Sequence, residues 1–244
     1  MIRYLFIILL AIFVTQAVTA KEERVRFNLK LGFIKGGEAE MVITDTVFNG
    51  IPAIHYYVVG RTTGLAHTLY GVHDIYETTV DANTHLPLKA IRNVQEGNYR
   101  LYNETLFYHD VDSINSQRSG WRKVPDDLID IISVFFYFIH KNPFNNIQPG
   151  DAVKYATYHN DKISDVSVKF LREERIKTDA GNMDSYVLAP TVDKGKLLKR
   201  SDGLRFYISK ERKVPVLLEF DMRVGALRAV LKSYKIDGVE QVAK

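Results

Sequence analysis

The chain alternates between short runs of period-two hydrophobic residues and clusters of turn formers. The clearest run extends from Arg24 to Phe33, and its apolar residues fall on one face. They are Val25, Phe27, Leu29, Leu31 and Phe33. Such alternation predicts a strand with one buried face. We expect a turn at Gly36-Gly37 and a tight hairpin at Asn49-Gly50, because glycine and asparagine tolerate positive φ. The N-terminal third therefore predicts an antiparallel meander.

Strand-like runs continue along most of the remaining chain. Between Thr63 and Gly71 the pattern breaks, and we expect a single helical turn or an irregular crossing there. The segment from Asp110 to Gly120 is polar and rich in turn formers, which predicts a surface loop. Runs resume after Pro149-Gly150-Asp151. The spacing of turns predicts roughly eleven or twelve short strands in all.

One segment, from about Asp126 to His140, predicts a helix. Pro125-Asp126-Asp127 supplies a cap, with the acids at the positive end of the helix dipole, and Pro143 ends the helix. Its body is apolar nearly all round, which predicts burial. The chain is therefore expected to be mostly β, a large curved antiparallel sheet or incomplete β-barrel wrapping one buried apolar helix. The pattern does not distinguish an open barrel from two packed sheets.

The N-terminus predicts export. Arg3 precedes an apolar run from Tyr4 to Val14, and Val18-Thr19-Ala20 is a small-residue cleavage site. A run of about eleven residues is shorter than the roughly 20 that a membrane-spanning helix needs. We expect residues 1–20 to be a signal peptide and residues 21–244 a single β-rich domain. That domain is expected to be periplasmic, and soluble rather than membrane-spanning.

Composition narrows the chemistry that the chain can perform. It has no cysteine among 244 residues, which excludes disulfides, thiolate metal sites and cysteine nucleophiles. Its 33 Lys and Arg residues are interspersed with 29 Asp and Glu residues, so the net charge of +4 is not a nucleic-acid footprint. We therefore expect no nucleic-acid partner.

No residue pattern predicts catalysis. The seven histidines lack the spacing of a metal-binding pair, and no Gly-x-Ser-x-Gly nucleophile elbow occurs. Paired carboxylates at Asp110 and Asp112 are typical of a turn, and those at Asp126, Asp127 and Asp130 are typical of a helix cap. The sequence thus predicts a protein that is not an enzyme and that carries neither a cofactor nor a metal.

Aromatic residues on two predicted elements are candidates for ligand binding. The candidates on the strand around residues 98–109 and on the predicted helix are Tyr99, Phe107, Phe135, Phe136 and Phe138. Together they could line a pocket for a lipid or another apolar small molecule. Core filling explains the same residues, and both interpretations stay open at this point.

Three stretches carry a family resemblance. They are the helix that follows Pro125 with its downstream Pro149-Gly150-Asp151, the hairpin Ala180–Tyr186, and the ending from Gly203 to Leu231. In this order they resemble the bacterial exported proteins known as domain of unknown function 3108. Members carry Trp in the strand after Gly203, where this chain has Phe206 and Tyr207.

The resemblance implies a fold similar to the periplasmic lipoprotein carriers and their lipoprotein-binding relatives. In that fold an incomplete antiparallel barrel is plugged by helices and encloses an apolar cavity for acyl chains. One fold can host unrelated activities, so the resemblance implies a fold and leaves the ligand open.

Two functions follow as hypotheses. The first is an envelope protein that binds or carries a lipid or other apolar ligand between sheet and helix. The alternative is a non-catalytic structural or interaction protein with a filled core, which recognises an envelope protein through a sheet edge or through the basic stretch 194–213. A carrier requires an apolar cavity of about a few hundred Å³ beside the helix.

Overall fold

The computed structural model describes residues 20–141, 146–191, 203–223 and 225–241. The predicted leader, Pro143 and much of the basic stretch 194–213 lie outside these residues. Within these ranges the α-helices are α1 (Gly64–Leu69) and α2 (Ser133–Lys141). The strands are β1 (Glu22–Leu31), β2 (Ile34–Phe48), β3 (Ile51–Thr62), β4 (His73–Asp81), β5 (Pro87–Glu96), β6 (Tyr99–Tyr108), β7 (Ser113–Ser116), β8 (Gly120–Lys123), β9 (Ile129–Asp130), β10 (Ala152–His159), β11 (Lys162–Thr178), β12 (Gly181–Thr191), β13 (Leu204–Ser209), β14 (Pro215–Met222), β15 (Gly225–Ile236) and β16 (Val239–Glu240).

Within the described residues all sixteen strands belong to one open sheet. Its order is β8-β7-β6-β5-β4-β3-β2-β1-β15-β14-β13-β12-β11-β10-β9, with β16 beside β15. Every pairing is antiparallel except the parallel pairing of β9 with β10. The prediction of one large, open, mostly antiparallel sheet is confirmed, and the arrangement is not two packed sheets. The count exceeds the prediction because β7, β8, β9 and β16 have only two to four residues each.

The start of the sheet follows the predicted alternation and then departs from it. Val25 and Phe27 are buried in the main apolar cluster, as the pattern predicts. The turn, however, lies at Gly32-Phe33, where Gly32 has φ +60°, and not at Gly36-Gly37. Phe33 therefore leaves the strand and is fully exposed.

The two glycines of the predicted turn have other roles within β2. The register changes from Leu29 opposite Gly37 to Lys30 opposite Lys35, so Gly36 is an extra residue, a β-bulge. At Gly37 a Cβ atom would lie 2.4 Å from the carbonyl oxygen of Arg61, so the backbone approaches too closely for a side chain.

The next turn agrees with its prediction, whereas the predicted surface loop does not. Asn49 and Gly50 have φ +49° and +84°, as a tight hairpin between β2 and β3 requires. Within the predicted loop 110–120, Ser113–Ser116 forms strand β7 and pairs with β6. Its Ser116 side chain is buried, and the hydroxyl donates to Asn103 Oδ1 on β6 at 3.1 Å. This bond explains how a polar segment forms a strand here.

Helix α2 begins seven residues later than the sequence predicts. Asp127 has φ +51°, a left-handed conformation that cannot continue a helix. Ile129 and Asp130 then pair in parallel with Thr157 and Tyr158 of β10. The predicted cap at Asp126-Asp127 is therefore a turn, and the segment enters the sheet before the helix starts.

Helix α2 lies between two apolar clusters. Phe136 belongs to the main cluster, with Val25, Tyr56 and Leu231. Val134, Tyr137, Phe138 and Ile139 belong to a second cluster, which also includes residues of β11, β12 and β13: Val166, Val168, Phe170, Tyr186, Leu188 and Ile208. Residues of this short helix are thus buried on more than one side.

Candidate functional site

Asp130 is the N-terminal cap of helix α2 and also its attachment to the sheet. Its Oδ1 accepts hydrogen bonds from the backbone N–H of Ile132 at 2.8 Å and of Ser133 at 3.2 Å. Its Oδ2 accepts from the hydroxyl of Thr78 on β4 at 2.7 Å and from the Ser133 hydroxyl. The side chains of Asp130, Thr78 and Ser133 are all buried. One carboxylate therefore closes the helix start and fixes it to a strand 52 residues earlier in the chain.

Burial raises the pKa of Asp130, although the hydrogen bonds from Ser133, Thr78 and the Ile132 and Ser133 amides act in the opposite direction. A carboxyl group with a raised pKa contributes stability in its protonated form and loses that contribution as pH rises through the folded-state pKa. The four donors offset part of the cost of keeping this charge buried. Because all four bonds go to the carboxylate, it has little capacity left to act as a base on a substrate.

Side-chain hydrogen bonds next to this cap join the β7–β8 edge of the sheet to the turn between β10 and β11, and we call this set of contacts the polar seam. In that turn Asn160 and Asp161 both have positive φ. Asp161 Oδ1 accepts from the hydroxyls of Ser116 at 3.3 Å and Ser119 at 3.1 Å, which belong to the opposite edge of the sheet. Side-chain contacts thus connect edges whose strands are not paired.

Two further interactions reinforce the seam. The guanidinium of Arg122 donates twice to the Asp161 carbonyl, at 3.1 Å each, and lies over the Tyr158 ring at 5.1 Å. Burial works against ionisation of Asp161, but the hydroxyls of Tyr158, Ser119 and Ser116, together with Arg118, keep its pKa below the ordinary value. Asp161 is therefore a stable acceptor at neutral pH.

A small cavity lies between the seam and the cap. Its volume is about 40 Å³, room for roughly two or three water molecules. Polar lining residues include Arg92, Asn103, Arg118, Asp130 and His159. Burial, with Arg92 nearby, lowers the pKa of His159 to about 4. The cavity suits ordered water and is too small for an acyl chain.

The C-terminal end of α2 is held by a pair of histidines. The rings of His140, in the last turn, and His85, in the β4–β5 connection, stack with centroids 3.8 Å apart. Burial, followed by the charges of His140 and Lys141, lowers the pKa of His85 to about 4, and Asp81 offsets part of this shift. Nδ1 of His85 is buried and has no hydrogen-bond partner among the described residues. A proton on Nδ1 would therefore be unsatisfied.

We expect the free energy of unfolding to fall in acid because of His85. Because the folded-state pKa of His85 lies near 4 and the unfolded-state value near 6.5, the folded chain binds fewer protons, and stability falls as pH falls through this window. The expected loss is about 1 kcal/mol, reduced by solvent screening because the ring is only half-buried. His85→Asn keeps a residue that tolerates the positive φ and removes the imidazole.

Urea unfolding of the wild type and of His85→Asn at several pH values between 7 and 4 checks this expectation. The wild type should lose more stability than the variant across the range. Parallel pH profiles for the two proteins would show that His85 does not titrate as the geometry implies.

The predicted ligand residues are placed in different surroundings. Phe135 and Phe136 are close together on α2, with ring centroids 5.0 Å apart, and Phe136 stacks on Tyr56 at 3.7 Å. Phe138 is buried in the second cluster. Phe107 belongs to a third cluster, with Ile114, Leu128 and Tyr158.

Tyr99 is separated from these rings. It lies half-exposed at the start of β6, at an end of the sheet. Three larger cavities of about 230, 230 and 280 Å³ are lined mainly by residues of β2–β5, β12 and β13–β15. None of the five predicted residues lines these three cavities or the small one. Their role as ligand contacts stays a prediction.

Sequence reasoning missed Thr78, Ser133 and Asp161 as site residues. One local signal was available for the cap, since Asp130 directly precedes the apolar residues Ile131 and Ile132. The contact with Thr78 had no such signal.

Among the described residues no group of three or more His, Asp or Glu side chains is arranged to hold a metal ion. None of the described helices has the length and apolar character needed to cross a bilayer.

The fold and the site define a mostly β protein with one large, open, mostly antiparallel sheet and a short carboxylate-capped helix. The chain belongs to the family described as "Protein of unknown function (DUF3108)", whose profile matches residues 26–232. The predicted family is thereby confirmed.

A solved structure shares the fold. It is the crystal structure of a β-barrel-like protein of domain of unknown function DUF1849 from Brucella abortus, with a TM-score of 0.58 and 12% sequence identity. The similarity covers 90% of this chain and 99% of that chain. A comparison with curated proteins gave no significant match.

Proposed function

We propose that the chain is an exported, non-catalytic envelope protein that binds a lipid or another apolar molecule between its sheet and helix α2. The observation that carries this proposal is the position of α2, an apolar helix lying between two apolar clusters. Hydrogen bonds to Asp130 hold its start, and stacking of His140 on His85 holds its end. We regard α2 as a plug that the sheet wraps, and displacement of the plug as the opening step.

Displacement of α2 would expose apolar surface from both clusters. Tyr56 would lose its stacking partner Phe136, and Phe206 would lose its edge contact with Phe135 at 5.6 Å. An acyl chain could replace these contacts with little net change in buried apolar area. A nine-residue helix is too short to be stable alone, so its structure depends on this packing.

The family resemblance and the barrel-like fold support a carrier. Lipoprotein carriers have an incomplete barrel plugged by helices, and the proposed plug here is α2. In this proposal Phe135, Phe136 and Phe138 move with the plug and contact the ligand, whereas Phe107 and Tyr99 stay predicted contacts.

The N-terminal segment supports export to the periplasm. Cleavage after Ala20 would leave the sheet intact, because β1 begins at Glu22 and the first contact nearby is the Asp45 amide donating to the Lys21 carbonyl at 3.2 Å. The proposal of a binding role and not an enzymatic one is supported by Asp130, whose two carboxylate oxygens already accept four hydrogen bonds.

Native mass spectrometry of the protein purified gently from its own periplasm tests the proposal. A stoichiometric lipid, identified after solvent extraction, is the expected result. An N-terminus at Lys21 in the same spectrum would support export and cleavage. A clean ligand-free mass, with no uptake of added fatty acid or phospholipid, would contradict the binding role.

A second candidate is favoured by the small volume beside α2. A cavity of about 40 Å³ is far below the few hundred Å³ that a preformed acyl site requires. A filled core without a ligand is what a structural or interaction protein of the envelope needs. The ligand-free outcome above would select this candidate, with an envelope protein as its partner.

A further inference from the structure

Large apolar side chains cluster at one end of the sheet, in the connections β1–β2, β3–β4 and β5–β6. We name this cluster the apolar rim, and its members are Leu31, Phe33, Ile34, Leu65, Leu69, Tyr70 and Tyr99. Phe33 is 105% exposed, Leu69 85% and Leu65 83%. Single exposed apolar residues are common on proteins, but a cluster of this kind marks an interaction surface.

The connections pack against one another and form a continuous surface. The Thr63 amide, at the start of α1, donates to the Gly36 carbonyl at 2.9 Å, and a Cβ on Gly36 would touch Ala66 at 3.5 Å. On the other side, the Gly97 amide donates to the Gly71 carbonyl at 2.8 Å. The β1–β2 turn, α1 and the β5–β6 turn are therefore held in fixed relation.

Basic side chains surround the rim. Lys30 lies opposite Lys35 on β2 and opposite Arg228 on β15, so three like charges occupy neighbouring cross-strand positions. Glu38 pairs with Lys35 and Glu219 with Arg228, each at 2.8 Å, so the sheet compensates part of this row. The remaining positive charge favours an anionic surface beside it. The segments 29–38, 61–74, 95–101 and 220–229 contain six Lys and Arg residues against four Asp and Glu residues.

We infer that the apolar rim is a membrane-docking surface that inserts into the interface of a bilayer containing anionic phospholipid. The exposures match such an interface: Phe33, Leu65 and Leu69 are the most exposed members, and Tyr70 and Tyr99 are about half exposed. Apolar tips enter the acyl boundary, tyrosines suit the headgroup level, and basic residues attract the phosphates.

The shape of the rim favours a lipid surface over a folded partner. Its most exposed side chains lie on two separate connections, Phe33 in the β1–β2 turn and Leu65 and Leu69 on α1, so a rigid protein would need a surface matched to both. A fluid bilayer accommodates them without such a match. The rim uses residues different from those around α2, so docking goes beyond the proposed ligand binding and stands independently of it.

Vesicle co-flotation tests the inference with the exported form of the full chain, its N-terminus read by mass spectrometry. The wild type should bind phosphatidylcholine vesicles that contain phosphatidylglycerol more tightly than vesicles of phosphatidylcholine alone. Phe33→Ser, and the double change Leu65→Ser with Leu69→Ser, should each lower the partition coefficient about tenfold or more. Lys35→Glu should weaken binding to the anionic vesicles only.

Val47→Ser is the matched control. Val47 is 67% exposed on β2 but lies near the Asn49-Gly50 hairpin, at the other end of that strand. The Val47→Ser variant should bind vesicles like the wild type, and the serine variants should keep the wild-type Tm because the replaced side chains are exposed. Lys35→Glu loses the ion pair with Glu38, so its fold is checked by circular dichroism.

Three results would overturn the inference. They are unchanged vesicle binding by the rim variants, an equal loss for Val47→Ser, and no binding of the wild type to either vesicle. A dimer seen by analytical ultracentrifugation and abolished by Phe33→Ser, without vesicle binding, would identify a second copy of the chain as the occupant instead. Uptake of a dansyl-labelled fatty acid in solution should be the same in the rim variants, which separates this test from that of the binding function.

Discussion

Replacing Asp130 with alanine is expected to lower the free energy of unfolding by about 3 kcal/mol. The change removes the cap of α2 and leaves the Ile132 and Ser133 amides without their acceptor. It also leaves the buried hydroxyls of Thr78 and Ser133 without their carboxylate partner. Urea unfolding at neutral pH, followed by circular dichroism, measures the effect.

Two control variants locate the origin of this loss. Asp130→Asn keeps an acceptor oxygen for the helix amides and an NH₂ group that Thr78 and Ser133 can accept, so it should cost clearly less than alanine. Asp126→Ala alters the cap that the sequence predicts, but Asp126 is exposed and precedes the helix by seven residues, so about 0.5 kcal/mol or less is expected. Equal losses for Asp126→Ala and Asp130→Ala would contradict the cap assignment.

The contrast between these aspartates shows how far local sequence signals reach. Both Asp126 and Asp130 precede the same apolar run, and helix-start rules accept either one. Strand β10 determines where the helix starts, because pairing of Ile129 with Thr157 keeps the segment extended as far as Asp130. That pairing joins residues 28 positions apart and leaves no local mark.

Strand prediction had the same strength and the same limit. Alternation located β1 and identified Val25 and Phe27 as buried, because a sheet with one apolar face imposes period two. It also placed Phe33 on the buried face, which was wrong. The alternation of apolar residues continues in the sequence past the end of β1. The chain turns at Gly32, and Phe33 is therefore exposed.

The candidate site could be predicted only in part for a related reason. The helix that carries Phe135, Phe136 and Phe138 was predicted from its composition. The residues that hold it, Thr78 and His85, lie far from it in sequence and are ordinary strand and turn residues. Partnership between such groups depends on how the sheet curves, which no local period encodes.

A disulfide between helix α2 and β4 is expected to slow fatty-acid uptake at least about tenfold, which corresponds to about 1.4 kcal/mol of added barrier. The hydroxyl oxygens of Thr78 and Ser133 are 3.3 Å apart, so thiols at the same positions are within reach of bonding. The chain contains no cysteine, so Thr78→Cys with Ser133→Cys creates one unique bridge. If α2 must leave its place for the ligand to enter, the bridge prevents that movement.

Reduction of the disulfide provides its internal control. The oxidised and reduced forms both lack the hydroxyls that donate to Asp130, so they differ only in the covalent bond. Uptake of a dansyl-labelled fatty acid, followed by fluorescence, should return when dithiothreitol is added, and the single-cysteine variants should respond to neither oxidation nor reduction.

Equal uptake by the oxidised and reduced forms would show that the ligand enters without moving α2. Uptake by none of the proteins, the wild type included, would reject the binding function and leave the filled-core interaction protein as the better account of a buried, doubly anchored helix.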